Sequence, residues 1–100
     1  MAKDPLFNDV IHAPLRFRIC GLLRPVKQLD FSVLRDTLEV SDAVLSKHLK
    51  TLTEAGYAKI VKGSSSTRAD ARHLTWALLT LSGQEAFDGH IAALREMAGL

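Results

Sequence analysis

Apolar residues recur at three- and four-residue steps early in the chain, where Ile11, Leu15, Ile19, Leu22 and Leu23 would line one face of a helix. Pro14 falls inside this run. Its ring suits a first helical turn and breaks an interior one, so the main helix is expected to start near Ala13. Leu6, Phe7, Val10 and Ile11 form an apolar arm ahead of it. Pro25 closes the helix, residues 26–31 leave room for a short extended stretch, and a second helix is expected from about Ser32 to Leu38. Asp30 or Ser32 would cap it, with Val33, Leu34 and Leu38 turned inward. The third helix has the plainest pattern. Ser41 is a good N-cap, Leu45, Leu49 and Leu52 share one face, Val44, His48 and Ala55 join it at the edges, and Gly56 stops it.

The period then changes. Tyr57 to Lys62 favours a strand, Gly63 to Thr67 is a turn-rich break, and His73 to Leu81 reads as a second strand, giving a hairpin with a long, polar, basic tip. Along the second strand Leu74, Trp76 and Leu78 lie on one face and Ala77, Leu79 and Leu81 on the other, although a hairpin burying one face should leave the other polar. The last helix is expected over about 81–98, with Phe87, Ile91, Leu94 and Met97 or Ala98 on one side. Its cap is either Thr80 or Ser82, the latter opening a capping box with Glu85. This order of elements defines a mainly α fold with a small β-hairpin wing, a winged helix-turn-helix, in a single domain spanning 1–100.

Composition narrows the function classes. The chain has 100 residues, 47% hydrophobic and 24% charged, the balance of one globular domain. No apolar run approaches the roughly 20 residues that span a bilayer, and residues 1–9 lack the apolar core of a secretion signal, so a cytoplasmic protein without membrane contact is expected. Cys20 is the lone cysteine and reads as a buried, inert thiol. His12, His48, His73 and His90 are scattered over four elements, and only a dimer would bring them together; neither a metal site nor a cofactor is expected. An enzyme is disfavoured, since the sequence carries no Gly-rich phosphate loop, no GxSxG elbow and no nucleophile with a recognisable base. Charge is uneven. Residues 41–72 hold Lys47, Lys50, Lys59, Lys62, Arg68 and Arg72 against Asp42, Glu54 and Asp70, so the middle third is the basic part, as an anion-binding surface requires.

The run from Phe31 to Asp36, then Val40-Ser41-Asp42-Ala43-Val44-Leu45-Ser46-Lys47-His48-Leu49-Lys50, then Glu54-Ala55-Gly56-Tyr57, resembles the winged-helix transcriptional regulators of the MarR/ArsR-like group. Thr75-Trp76, Leu79-Thr80 and Gly83 also look like the end of the wing in small members, and the likeness covers about His12 to Phe87. It implies a homodimeric, sequence-specific regulator binding double-stranded DNA. Where such wings often carry a Gly-Arg-Pro-Arg-like string, this chain has Thr67 to His73, with Asp70 between Arg68 and Arg72. The paired cysteines of metal-sensing relatives are absent, which excludes that type of sensing.

The residues themselves support a DNA-facing surface. With the leucine ridge buried, Ala43, Ser46, Lys47 and Lys50 turn outward on a recognition helix 41–55, small or basic enough to enter a major groove about 12 Å wide. The lysines would meet guanine or phosphate, or merely solvate an exposed face. Ser32 and Ser41 offer helix-start amides to phosphate. Lys62, Arg68 and Arg72 belong to a wing, 62–73, placed near the minor groove or backbone. The surplus apolar surface points to a homodimer through the arm (1–12) and the last helix (81–98), using Leu6, Phe7, Val10, Ile11, Trp76, Phe87, Ile91 and Leu94. An unidentified small-molecule effector would have to bind between the DNA-binding elements and the dimer helices. The competing reading is a winged-helix module that docks on another protein without DNA; a helix used that way more often exposes aromatics or Met.

Overall fold

The computed structural model describes residues 4–64 and 73–100, excepting the side chains of Ser64 and His73. Eight elements follow in order: α1 (Asp9–His12), α2 (Pro14–Leu23), β1 (Leu29–Asp30), α3 (Phe31–Leu38), α4 (Asp42–Glu54), β2 (Ala58–Ser64), β3 (His73–Leu79) and α5 (Leu81–Ala98). Each boundary has a local cause. Asn8 caps α1 by accepting the Ile11 amide at 3.0 Å. Ala13 is extended (φ −56, ψ 131) because a residue preceding proline is driven out of the helical region, and Pro14 then opens α2. Between the two expected caps of α3 the structure selects Asp30, and Glu39 ends that helix in the left-handed region at φ 56. Ser41 caps α4 through the Val44 amide, and Gly56 follows its end at φ 82.

The sheet has order β1-β3-β2, with both pairings antiparallel. β3 is therefore a central strand, which accounts for its apolar residues on both faces: Ala77 and Leu79 are buried, while Leu74, Trp76 and Leu78 are half-buried. Trp76 lies opposite Val61 on one side and Asp30 on the other. β3 ends at Leu79, and of the two expected caps Thr80 starts α5 by accepting the Gly83 amide at 3.0 Å. Thr80 also ties α5 to the turn after α4, donating its hydroxyl to Gly56 O at 2.7 Å and its amide to Tyr57 O at 3.0 Å.

Ile19, Cys20 and Leu23 of α2, Leu34 and Leu38 of α3, and Leu45, Leu49 and Leu52 of α4 make the centre of the core. A bidentate pair from Arg24 to Asp88, both bonds 2.9 Å, fastens the end of α2 to α5. Two expectations fail here. Val33 is half exposed rather than inward, because Leu34 and Leu38, four apart, take the buried face of the short α3. Ile11, expected at a dimer surface, is fully buried in the chain's own core, because the turn at Ala13 folds α1 back onto α2.

Candidate nucleic-acid interface

The inner face of α4 is set by Leu45, Leu49 and Leu52, each at most 3% exposed. The helical repeat then fixes the outer face, where Ala43, Ser46, Lys47 and Lys50 are all exposed, as is the cap Ser41. Lys62 is exposed on β2, across a groove of about 450 Å³ between α4 and the hairpin. Phe31, Leu49 and Ile60 supply its apolar lining, and Ser46, Lys50 and Lys62 its exposed edge. No carboxylate among the described residues pairs with Lys47, Lys50 or Lys62. The acidic residue nearest the front of α4, Asp42, is instead engaged by Arg35 at 2.9 Å, which also binds Asp36 at 2.8 Å. The two carboxylates hold the guanidinium of Arg35 charged, with its pKa raised. Among the described residues these lysines thus face no carboxylate, while the carboxylate at the head of the helix is neutralised from within.

Ser32 does not fit the phosphate role expected of it. Its amide and hydroxyl both donate to Asp30 Oδ1, at 2.7 and 2.6 Å. The Ser32 hydroxyl first, then the Ser32 and Val33 amides and the Arg35 charge, hold that carboxyl below its usual range against burial. An ionised carboxylate at the start of α3 occupies the amides and repels phosphate. Arg68 and Arg72, and the wing tip that carries them, lie outside the described residues.

Two polar links escaped the sequence reading. Arg16 on α2 donates to Val10 O at 2.6 Å and meets His48 Nδ1 on α4 at 3.2 Å. Arginine can only donate, so His48 accepts and is neutral there; burial, then Arg16 and Lys47, lower its pKa. This bond sets α4 against α2, with His48 at the helix edge. Second, the histidines are not all apart: His12 and His90, 78 residues apart in sequence, meet within one chain at 3.2 Å. Among the described residues no three metal-ligating side chains converge. Cys20 is fully buried and its thiol is pushed up to about 12 by burial, against a smaller opposing effect of Arg16.

Of the residues expected at a dimer surface, Leu6 is 72% and Phe7 37% exposed. Val10, Trp76, Phe87, Ile91 and Leu94 are half-buried. No helix among the described residues is long and apolar enough to cross a membrane.

This arrangement of a helix-turn-helix followed by a hairpin is matched by known proteins. The chain belongs to the winged helix DNA-binding domain family, whose model matches residues 15–98. An uncharacterised protein of Methanocaldococcus jannaschii is 28% identical over 93% of this chain and 92% of its own length. A transcriptional regulator homologue of Pyrococcus horikoshii superposes with a TM-score of 0.82 at 22% identity, covering 90% of this chain and 85% of that one. NadR, solved in complex with 4-hydroxyphenylacetate, superposes with a TM-score of 0.69 at 22% identity, covering 92% of this chain and 62% of that one. The fold is therefore that of winged-helix transcriptional regulators.

Proposed function

We propose that this chain is a non-enzymatic, sequence-specific transcriptional regulator that binds double-stranded DNA as a homodimer in the cytoplasm. The observation that carries the reading is the outer face of α4, where Lys47 and Lys50 stand exposed without a carboxylate partner among the described residues, beside small Ala43 and Ser46. Residues 41–55 lie in the major groove. Ser41 presents the helix start to a phosphate, and Lys62, with Arg68 and Arg72 of the wing (62–73), meets the adjoining backbone or minor groove. Residues 1–100 act as one domain, with the arm and α5 joining two copies through Leu6, Phe7, Val10, Trp76, Phe87, Ile91 and Leu94. Two-fold symmetry then sets the recognition helices about one DNA turn, roughly 34 Å, apart. NadR, solved with 4-hydroxyphenylacetate, supports regulation by a small-molecule effector, which in this chain would bind between the DNA-binding elements and the dimer helices.

Selection of bound duplexes from a random pool tests both parts of the reading. A pseudo-palindromic site whose binding weakens steeply with added salt is the expected result. Absence of any enriched duplex, with retention of a protein partner instead, would favour the docking-module alternative.

A further inference from the structure

The N-terminal arm meets α5 at a buried imidazole. His90 is fully buried, and its Nδ1 accepts the Asn8 backbone amide at 3.0 Å. An amide only donates, so this Nδ1 is unprotonated and the neutral ring holds its hydrogen on Nε2. That hydrogen faces His12 Nδ1, 3.2 Å away, which must be the acceptor and keep its own proton on Nε2. One tautomer of each ring satisfies both bonds, and both rings are neutral. The same pattern disfavours a shared metal ion, since the His90 nitrogen facing His12 already carries a hydrogen.

Phe7 packs against both rings, with centroids 4.7 Å from His12 and 4.8 Å from His90, and Phe17 of α2 lies 5.7 Å from His90. Two further bonds complete the attachment: the Leu6 amide donates to Gly89 O at 3.0 Å, and Asn8 Nδ2 donates to Tyr57 Oη at 2.9 Å. We propose that the His12–His90 pair is an acid-sensitive latch that holds residues 6–8 on α5 while both rings are neutral and releases them when protonated. A proton on His90 Nδ1 would face the Asn8 N–H, donor against donor. One on His12 Nδ1 would face His90 Nε2–H in the same way.

Among the described residues the charged groups around His90 are few. α1 presents His12 and Asp9, α2 presents Phe17, the Tyr57 hydroxyl is reached through Asn8, and Asp88 of α5 itself pairs with Arg24. Burial first, then the His12 charge, lower the pKa of His90, and Asp9 opposes them. A released imidazole near its ordinary value of about 6.5 binds protons more readily than the latched one. The attachment is therefore complete above about pH 7 and is lost progressively as pH falls through 6.5 and below. Because the arm carries Leu6 and Phe7, acid would also weaken the proposed dimer, a consequence that rests on the reading above.

Imidazole NMR and amide hydrogen exchange on the full chain test the latch. At pH 7.5 His90 should be the neutral Nε2–H tautomer and the Asn8 amide protected. On acidification Asn8 should lose protection before the amides of Leu45, Leu49 and Leu52, with log protection falling by up to about one per pH unit as His90 takes up its proton. His12→Gln, at an exposed position, should weaken Asn8 protection at pH 7.5, and His90→Gln should abolish its pH dependence. Should the buried His90 variant not fold, the tautomer and the pH dependence of Asn8 protection still decide. An Nδ1–H tautomer at His90, or Asn8 protection that follows pH no differently from α4, overturns the proposal. Mass measured in the same samples separates the two readings, since a monomer with a pH-dependent arm loses the dimer and keeps the latch.

Discussion

Lys50 is the residue whose substitution tests the proposed DNA recognition most directly. It lies on the outer face of α4 and at the edge of the groove that continues to Lys62. A lysine reading guanine discriminates by about 1–3 kcal/mol per base, whereas one touching phosphate strengthens binding to every sequence alike. Lys50→Ala is expected to lower affinity for the selected site, and titration against site and non-site duplexes separates the two modes. Unchanged binding to both would remove Lys50 from the interface. Glu39 offers an independent test of the turn that sets α4 against α3. It adopts φ 56 without being glycine, closing α3 as its amide bonds back to Arg35 and Asp36. Left-handed backbone costs a residue with a Cβ about 1–2 kcal/mol. Glu39→Gly should accordingly stabilise the fold by about 0.5–1 kcal/mol once glycine's greater unfolded freedom is deducted. Chemical denaturation would show it as a raised midpoint with an unchanged slope.

At the level of elements, α5 docks closely on the turn that joins α4 to β2. A Cβ built on Gly83 would run into the Tyr57 carbonyl oxygen, and the Tyr57 and Gly56 carbonyls already take the amide and hydroxyl of Thr80. Backbone on both sides leaves no flexible side chain to yield. Gly83→Ala should therefore destabilise by about 1–3 kcal/mol or more, although alanine is the better helix former. A melting temperature equal to wild type would contradict the close docking of α5. Elements of this kind differ in how far they can be read from sequence. α4 was legible because its cap, leucine ridge and stop are all local signals, and its exposed residues follow once the ridge is assigned. The outward turn of Val33 was not legible, since adjacent Val33 and Leu34 point about 100° apart and packing chooses between them. Nor was the role of Ser32, which depended on Asp30 taking the cap. The His12–His90 contact joins two ends of the chain and leaves no periodic trace at either.

For the whole molecule, the decisive question is what covers the apolar surface left by a small core. Sequence pattern marked the arm and α5 as surplus but could not tell a residue buried in its own chain from one buried by a second copy. Ile11 proved to be the first kind, and Leu6, 72% exposed, remains available for the second. Because the Leu6 side chain contributes little to the monomer core, Leu6→Asp should leave thermal stability of the isolated chain nearly unchanged. In a two-fold interface the substitution occurs twice, and burying a leucine side chain is worth about 1.5–3 kcal/mol, so association should weaken by at least about a hundredfold. Sedimentation of wild type at micromolar concentration is expected to give twice the 11.0 kDa chain mass, and the variant the single mass. Salt dependence provides a second readout. If Lys47, Lys50 and Lys62 each neutralise one phosphate, one protomer contributes a slope of about −2.7 in log affinity against log salt, and a dimer about twice that. Leu6→Asp should therefore halve the slope as well as lower affinity, a pairing that loss of a single base contact does not produce. A wild-type chain that sediments as a monomer yet binds its site with the steeper slope would show that Leu6 is not part of a dimer surface and that more cations than these three reach the DNA.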